Sequence, residues 1–314
     1  MTSAESSTPK VRGRRGDRPM VPKAEFGSYY GRPVIKAPSW ASRDIAGYFF
    51  LGGLAGAGSV FAAAAHVTGR PRTATAMKVS SLAAVSLSAA ALIHDLGRPA
   101  RFANMLRVIK PTSPMSVGSW LLSAYGPAAG AAAASAVTGR LPRIGALGTG
   151  TAALLGPAVA SYTGVLAADT AVPAWHGAHR ELPHLFAASA TAAAAGMALV
   201  VGPPGENGPA RWAAGLAALA DTALSTAAER RLGMVAETWR EGRAGTLLRT
   251  ARTLTLTGAA GAAVLGHRRG AAVASGLALL AGSVCTRFGV FAAGIASAED
   301  PRYTVVPQRE RAVR

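Results

Sequence analysis

The sequence predicts an all-α, polytopic membrane protein with eight transmembrane helices in a bundle. Three observations carry this. Hydrophobic residues make up 50% of the 314 positions and charged residues only 15%, against roughly 25% charged in an ordinary soluble domain. Apolar residues fall in long blocks with the charges between them, whereas a soluble amphipathic helix interleaves the two classes. Each block is close to the ~20 residues that a helix needs to cross the hydrocarbon layer. Abundant alanine keeps the mean hydropathy at only +0.27.

Taken in order, residues 1–42 read as a basic, largely disordered cytoplasmic tail. It lacks the apolar core of a cleaved signal peptide. Arg14-Arg15 is followed by Gly16-Asp17-Arg18-Pro19 and not by an apolar run, which excludes a twin-arginine signal. Tyr29, Tyr30 and Trp40 close the tail with aromatics suited to a membrane interface. Residues 43–296 form the transmembrane domain. Its spans are expected at Ile45–Val67, Thr75–Leu96, Val117–Val137, Ile144–Ala168, Leu182–Val201, Trp212–Arg231, Leu247–Gly266 and Ala271–Ala296. Runs such as Gly56-Ala57-Gly58 suit close helix packing in lipid. Gly233–Gly245, with Trp239 and several charges, reads as an interfacial helix. Residues 297–314 form a cytoplasmic C-terminal tail. No internal repeat is evident.

The net charge of +18 sits in tails and loops, with no basic recognition helix, so a nucleic-acid partner is not expected. Loop arginines instead set topology and meet lipid headgroups. With eight spans, 23 Lys/Arg fall on the side of the two termini and 8 on the other, Lys78 being counted among the latter. The positive-inside rule then places a multi-pass protein in the cell (inner or plasma) membrane with both termini cytoplasmic.

The single cysteine, Cys285, excludes a cysteine-ligated iron–sulfur cluster and a disulfide framework within this chain. No histidine sits mid-span, so no haem is expected: His66 and His267 lie at outer ends, the other four toward the inner side. His176, His179 and His184 are too loosely spaced, and lack an acidic pair, for a metal site.

The richest polar stretch joins the second and third spans. It runs from His94-Asp95 through Arg98, Arg101, Arg107 and Lys110 to Gly118-Ser119-Trp120. A membrane protein that keeps such a loop ordered has something to dock on it, and the four cations are its candidate docking residues. Ionisable groups inside spans are expensive and point to function. Asp221 and Glu229 in the sixth span and Arg287 in the eighth are candidates for an intramembrane ion pair or a proton path.

These motifs resemble a known family. Tyr48-Phe49-Phe50-Leu51-Gly52-Gly53-Leu54-Ala55-Gly56, the loop from His94 to Trp120, Tyr162-Thr163-Gly164-Val165-Leu166 with Pro173 and Trp175, and Arg287-Phe288-Gly289 followed by Asp300-Pro301-Arg302-Tyr303-Thr304 are similar to the membrane-anchor subunits of polysulfide reductase and related molybdoenzymes, the NrfD/PsrC-like family. The resemblance implies an eight-helix subunit that docks a ferredoxin-like iron–sulfur subunit. That partner contacts a molybdopterin catalytic subunit, and the membrane subunit exchanges electrons with quinone or quinol (menaquinone or ubiquinone), without haem.

A quinone site needs a cleft open to lipid, polar groups for two carbonyls, and a proton donor or acceptor at each. The partner's face carries Asp44, Tyr48, His94, Asp95 and Tyr162. Tyr162 matches the family's quinone-contacting tyrosine. The first-span histidine and asparagine of some relatives are not evident here; Asp44 and Tyr48 occupy that neighbourhood. His94 and Asp95 serve equally well as caps that fix the loop. Two other functions compete: a structural anchor without quinone turnover, and a secondary transporter, which would show repeats around a midplane site.

Overall fold

The computed structural model describes residues 34–36, 38, 40–97 and 100–312. Most of the basic N-terminal tail, with Tyr29 and Tyr30, and the docking candidate Arg98 lie outside these. Within them every regular element is helical. In chain order the α-helices are α1 (Ser42–Val67), α2 (Pro71–Asp95), α3 (Ala100–Met105), α4 (Pro114–Thr138), α5 (Pro142–Ala168), α6 (Pro173–His176), α7 (Leu182–Val201), α8 (Gly208–Leu232), α9 (Glu237–Arg240), α10 (Gly242–Leu265), α11 (Arg269–Glu299) and α12 (Arg302–Ala312).

Eight of these have twenty residues or more, one for each expected span. The span expected at Leu182–Val201 is α7 to the residue. The other seven helices begin two to five residues earlier than expected. Pro71, Pro114 and Pro142 open three of them; proline's fixed φ suits the first turn, where its missing N–H costs nothing. Five of the eight, α1, α2, α5, α7 and α11, are long and apolar enough to cross a membrane. The others are diluted: α8 carries Arg211, Asp221 and Glu229, α10 carries Arg243, Arg249 and Arg252, and α4 is rich in glycine, alanine and serine. The interfacial helix expected at Gly233–Gly245 is instead a 3-10 turn, Gly233–Ala236, followed by the four-residue α9. Gly233 and Gly242 take positive φ of 55° and 57°, which breaks a continuous helix on either side.

A repeat hidden in the sequence is plain in the packing. In the first half α1 packs on α2 and α5, α4 packs on α5, and α2 meets α4 more lightly. In the second half α7 packs on α8 and α11, α10 packs on α11, and α8 meets α10 more lightly. The two four-helix sets therefore share one connectivity, and each carries a short helix in its long second-to-third connection. Each set also has the same close crossing. A Cβ on Gly56 of α1 would strike the Gly156 carbonyl of α5, and the reverse holds. Gly196 of α7 and Gly276 of α11 repeat that reciprocal contact. Only glycine lets helix backbones approach this closely.

Arg287 ties the halves together. Its side chain, on α11, is fully buried. Its Nη2 donates to the Phe186 carbonyl of α7 at 2.6 Å and its Nε to the Phe49 carbonyl of α1 at 3.4 Å. The guanidinium also stacks 3.9 Å from the Phe186 ring centre, a cation–π contact that strengthens when desolvated. Trp175, fully buried on α6, makes a second tie. Its Nε1 donates to the Val290 carbonyl at 2.8 Å, and Gly294 leaves the space that its indole fills.

Candidate functional site

The cleft lies where the N-terminal end of α1, the C-terminal ends of α2 and α5, and the N-terminal end of α4 converge, with α3 beside them. It encloses about 570 Å3, open mouth included. Tyr48, Tyr162 and Asp95 supply its polar groups, and Trp40, Leu92, Met105, Met115, Leu122 and Leu166 most of its apolar wall. Gly118 shapes it: a Cβ there would overlap the Tyr162 ring. The two phenols face the same space. Tyr48 is almost wholly buried and Tyr162 is half-buried at the cleft. Trp40 is stacked on Trp175, ring centres 5.7 Å apart and planes 18° apart, so this wall is backed by the second half.

The five residues expected around a quinone thus divide. Tyr48, Tyr162 and Asp95 line the cleft together. Asp44 and His94 do not; they pair with each other, Asp44 Oδ2 lying 2.9 Å from His94 Nδ1. Asp95 Oδ1 also accepts the Ala41 N–H at 3.2 Å, satisfying a donor left over at the start of α1. Both side chains at the end of α2 therefore latch it to the start of α1, which is the capping role the sequence left open. Asp95 alone serves both purposes. Sequence reasoning missed Gly118, Ser119, Met105 and Met115 as cleft residues. They stand inside or next to the polar stretch, but which helix face they occupy is set by packing.

Of the docking candidates in the described residues, Arg101, Arg107 and Lys110 are all exposed. The loop has internal order: Arg101 Nη1 donates to the Leu96 carbonyl at 3.0 Å, and Ser116 Oγ accepts the Lys110 N–H at 3.0 Å and donates to the Val108 carbonyl at 3.1 Å. Val108 and Ile109, both about two-thirds exposed, stand between Arg107 and Lys110. The loop rims the cleft, since Met105 and Met115 line both.

Asp221, Glu229 and Arg287 depart from expectation. The direct ion pair between Arg287 and a carboxylate does not form. Glu229 instead meets Arg240 at 3.0 Å and Arg252 at 3.3 Å. Asp221 Oδ1 and Arg287 Nη1 are both buried without a hydrogen-bond partner. Asp221, Glu229, Arg252, Thr286 and Trp239 line a small cavity of about 270 Å3, open mouth included, where the Trp239 indole N–H is likewise unpartnered. The reason is geometric: Phe49 and Phe186 supply carbonyls nearer to the guanidinium than either carboxylate.

Lys78, counted with the outer-side cations, falls inside the second expected span and is buried there. α2 begins at Pro71, so Lys78 is two turns inside the helix and only 8% exposed. It faces a small space shared with Ser59, Thr149 and alanines of α1, α4 and α5. Ser59 and Tyr125 hydroxyls are 2.6 Å apart, and Tyr125 donates to the Ala55 carbonyl at 2.6 Å. Thr149 donates to the Gly145 carbonyl at 2.7 Å. Both hydroxyls on this space therefore have their protons engaged elsewhere. His176, His179 and His184 each direct Nδ1 at a backbone carbonyl.

The family model for polysulphide reductase, NrfD, matches residues 37–203. That range takes in the whole first half, the cleft, its basic loop and α7. No curated protein sequence matches the chain. With more than half of its length matched by this one model, the chain belongs to the NrfD polysulphide reductase family of apolar, multi-pass membrane proteins.

Proposed function

We propose that this chain is the membrane subunit of a molybdoenzyme-type oxidoreductase complex, and that its cleft takes the ring of a membrane quinone or quinol. All eight long helices cross the bilayer in this reading, with both termini cytoplasmic. The observation that carries it is the cleft itself: two phenols and a carboxylate converge in an otherwise apolar slot beside an exposed basic loop. The residues fit a flat ring with two carbonyls, because Gly118 clears space beside Tyr162 and apolar side chains flank the ring. Bound quinone supplies the electron-accepting chemistry. Tyr162 and Tyr48 would each present an O–H to a carbonyl. Asp95, closer to the mouth, would hold or pass a proton between cleft and solvent.

This chain has one cysteine, so electrons must come from a partner. A ferredoxin-like iron–sulfur subunit, itself joined to a molybdopterin subunit, would sit on Arg101, Arg107 and Lys110, within tunnelling reach of the cleft. A photoreactive quinone analogue should label the peptides holding Tyr48 or Tyr162, and excess quinone should suppress the label. Labelling confined to other segments would remove the reading. Charge reversal at Arg107 and Lys110 should weaken retention of the iron–sulfur partner, most at low salt and less as salt is raised, since salt screens exposed charges.

A second role is favoured by the unpartnered Asp221 and Arg287 atoms. They would form part of a proton path from the Glu229 end of the cavity, a proposal that unchanged proton release in Asp221→Asn would refute. A secondary transporter is not favoured. Its substrate would bind near mid-depth at the seam between repeats, and here that part of the seam is filled by Arg287, Gly53 and Ala190 in contact.

A further inference from the structure

A second groove lies at the opposite end of the bundle, about 30 Å from the cleft by the rise along α1 from Tyr48 to Thr68. It runs along the seam between the halves and encloses about 680 Å3, open mouth included. Its walls are apolar: Phe61 and Ala65 of α1, Ala198 of α7, and Ala210 and Ala213 of α8. Its outer end is not. Arg70, Thr73 and Glu206 meet there, where the α1–α2 and α7–α8 connections approach each other.

Three features of that polar end point to a ligand. Arg70 makes one side-chain hydrogen bond, from Nη1 to the Thr68 carbonyl at 3.3 Å, so most of its five donors are free. Glu206 accepts the Thr73 N–H on Oε2 at 2.8 Å and has a second oxygen to spare. Desolvation pushes the Glu206 carboxyl up, but contacts from Thr73 and Arg72 pull it down by more, and it stays ionised. Among the described residues no ion pair joins Arg70 to Glu206, although both line one groove. The Thr73 hydroxyl is 95% buried with its residue and lies beside Glu206, yet makes no hydrogen bond of acceptable geometry.

A cation outside any ion pair, a carboxylate with one oxygen open and an orphan hydroxyl at the end of an apolar trough suit one kind of amphiphile. We propose that the groove holds an acyl chain of a phospholipid whose head carries both a phosphate and a primary ammonium, as in phosphatidylethanolamine. The phosphate takes the Arg70 guanidinium, a charge-assisted bond that favours arginine's fork. The ammonium takes the free Glu206 oxygen and the Thr73 hydroxyl. A glycerol head offers Glu206 only neutral hydroxyl donors, weaker partners for a carboxylate than an ammonium, and a choline head carries no N–H for it. The lipid wedges the two halves together on the face away from the cleft.

The test is native mass spectrometry and thermal melting of the full-length protein, delipidated and then returned to phosphatidylethanolamine, phosphatidylglycerol or phosphatidylcholine with the same chains. Phosphatidylethanolamine should be retained at least tenfold better than either other lipid and should alone raise the melting midpoint. Glu206→Gln keeps the acceptor for the Thr73 N–H and should erase that preference. Ala213→Phe, which fills the trough, should release all three lipids. Equal retention of the three lipids by the unmodified protein, or a preference that survives Glu206→Gln, would overturn the assignment. The lipid series needs no variant to fold, and its result does not depend on what occupies the cleft.

Discussion

The two four-helix halves share connectivity and a reciprocal glycine crossing, yet their interiors carry different chemistry. In the first half, on the side of the first helix's N-terminus, the cavity is lined by phenols, methionines and leucines. The cavity at the corresponding place in the second half is lined by Asp221, Glu229 and Arg252. Counting from the paired glycines shows the exchange. Tyr48 stands eight residues before Gly56, and Ala188 stands eight before Gly196. Tyr162 stands six after Gly156, and Gly282 stands six after Gly276. The backbone plan is common to both halves; the side chains that suit a neutral ring are in one only. Connectivity therefore says where a cavity will form, and side chains decide what enters it.

The comparison can be broken most forcefully at what the halves have in common. Arg287→Met removes the tie to α1 and α7 and leaves Arg252 as the cation lining the cavity with Asp221. It should cost about 3–5 kcal/mol, the scale for breaking a buried charge arrangement, read as loss of the monodisperse peak or a large fall in melting temperature in mild detergent. Gly56→Leu and Gly196→Leu should be comparably damaging to each other, by at least the ~1–3 kcal/mol of overpacking; tolerance of one alone would mean that the crossings are not equivalent. Gly118→Val tests what differs. It should expel Tyr162 and abolish binding of a quinone analogue while the melting temperature falls only modestly. Tyr162→Phe removes one hydrogen bond, worth about 0.5–1.5 kcal/mol, and should weaken that binding by at most about tenfold. The smallest effect belongs to Asp221→Asn, which should leave analogue affinity within about twofold; a larger loss would connect the charged cavity to the cleft.

Much of this was legible in the residues. Block lengths gave every long helix, because an unbroken apolar block of about twenty residues suits a single helix. Tyr48 and Tyr162 were placed at the right end of the right helices by motif and depth. What stayed hidden depended on helix rotation and on partners distant in sequence. Lys78 was counted with the outer-side cations although it falls within the second expected span, and only helix rotation, set by packing, shows that it is buried. Arg287 was paired on paper with carboxylates, since backbone carbonyls leave no mark in a sequence. The repeat escaped notice because it survives in connectivity and four glycines, not in residue identity.

Arg287 has a consequence for how the protein is made. Helices leave the ribosome in order, and this cation emerges on the last of the long ones. Its carbonyl acceptors belong to segments synthesised roughly 100 and 240 residues earlier. A lone arginine facing hydrocarbon is strongly disfavoured, so α11 gains stable insertion only when α1 and α7 already stand side by side. Nascent chains halted before this residue should assemble without their keystone, and membrane quality control would read the difference.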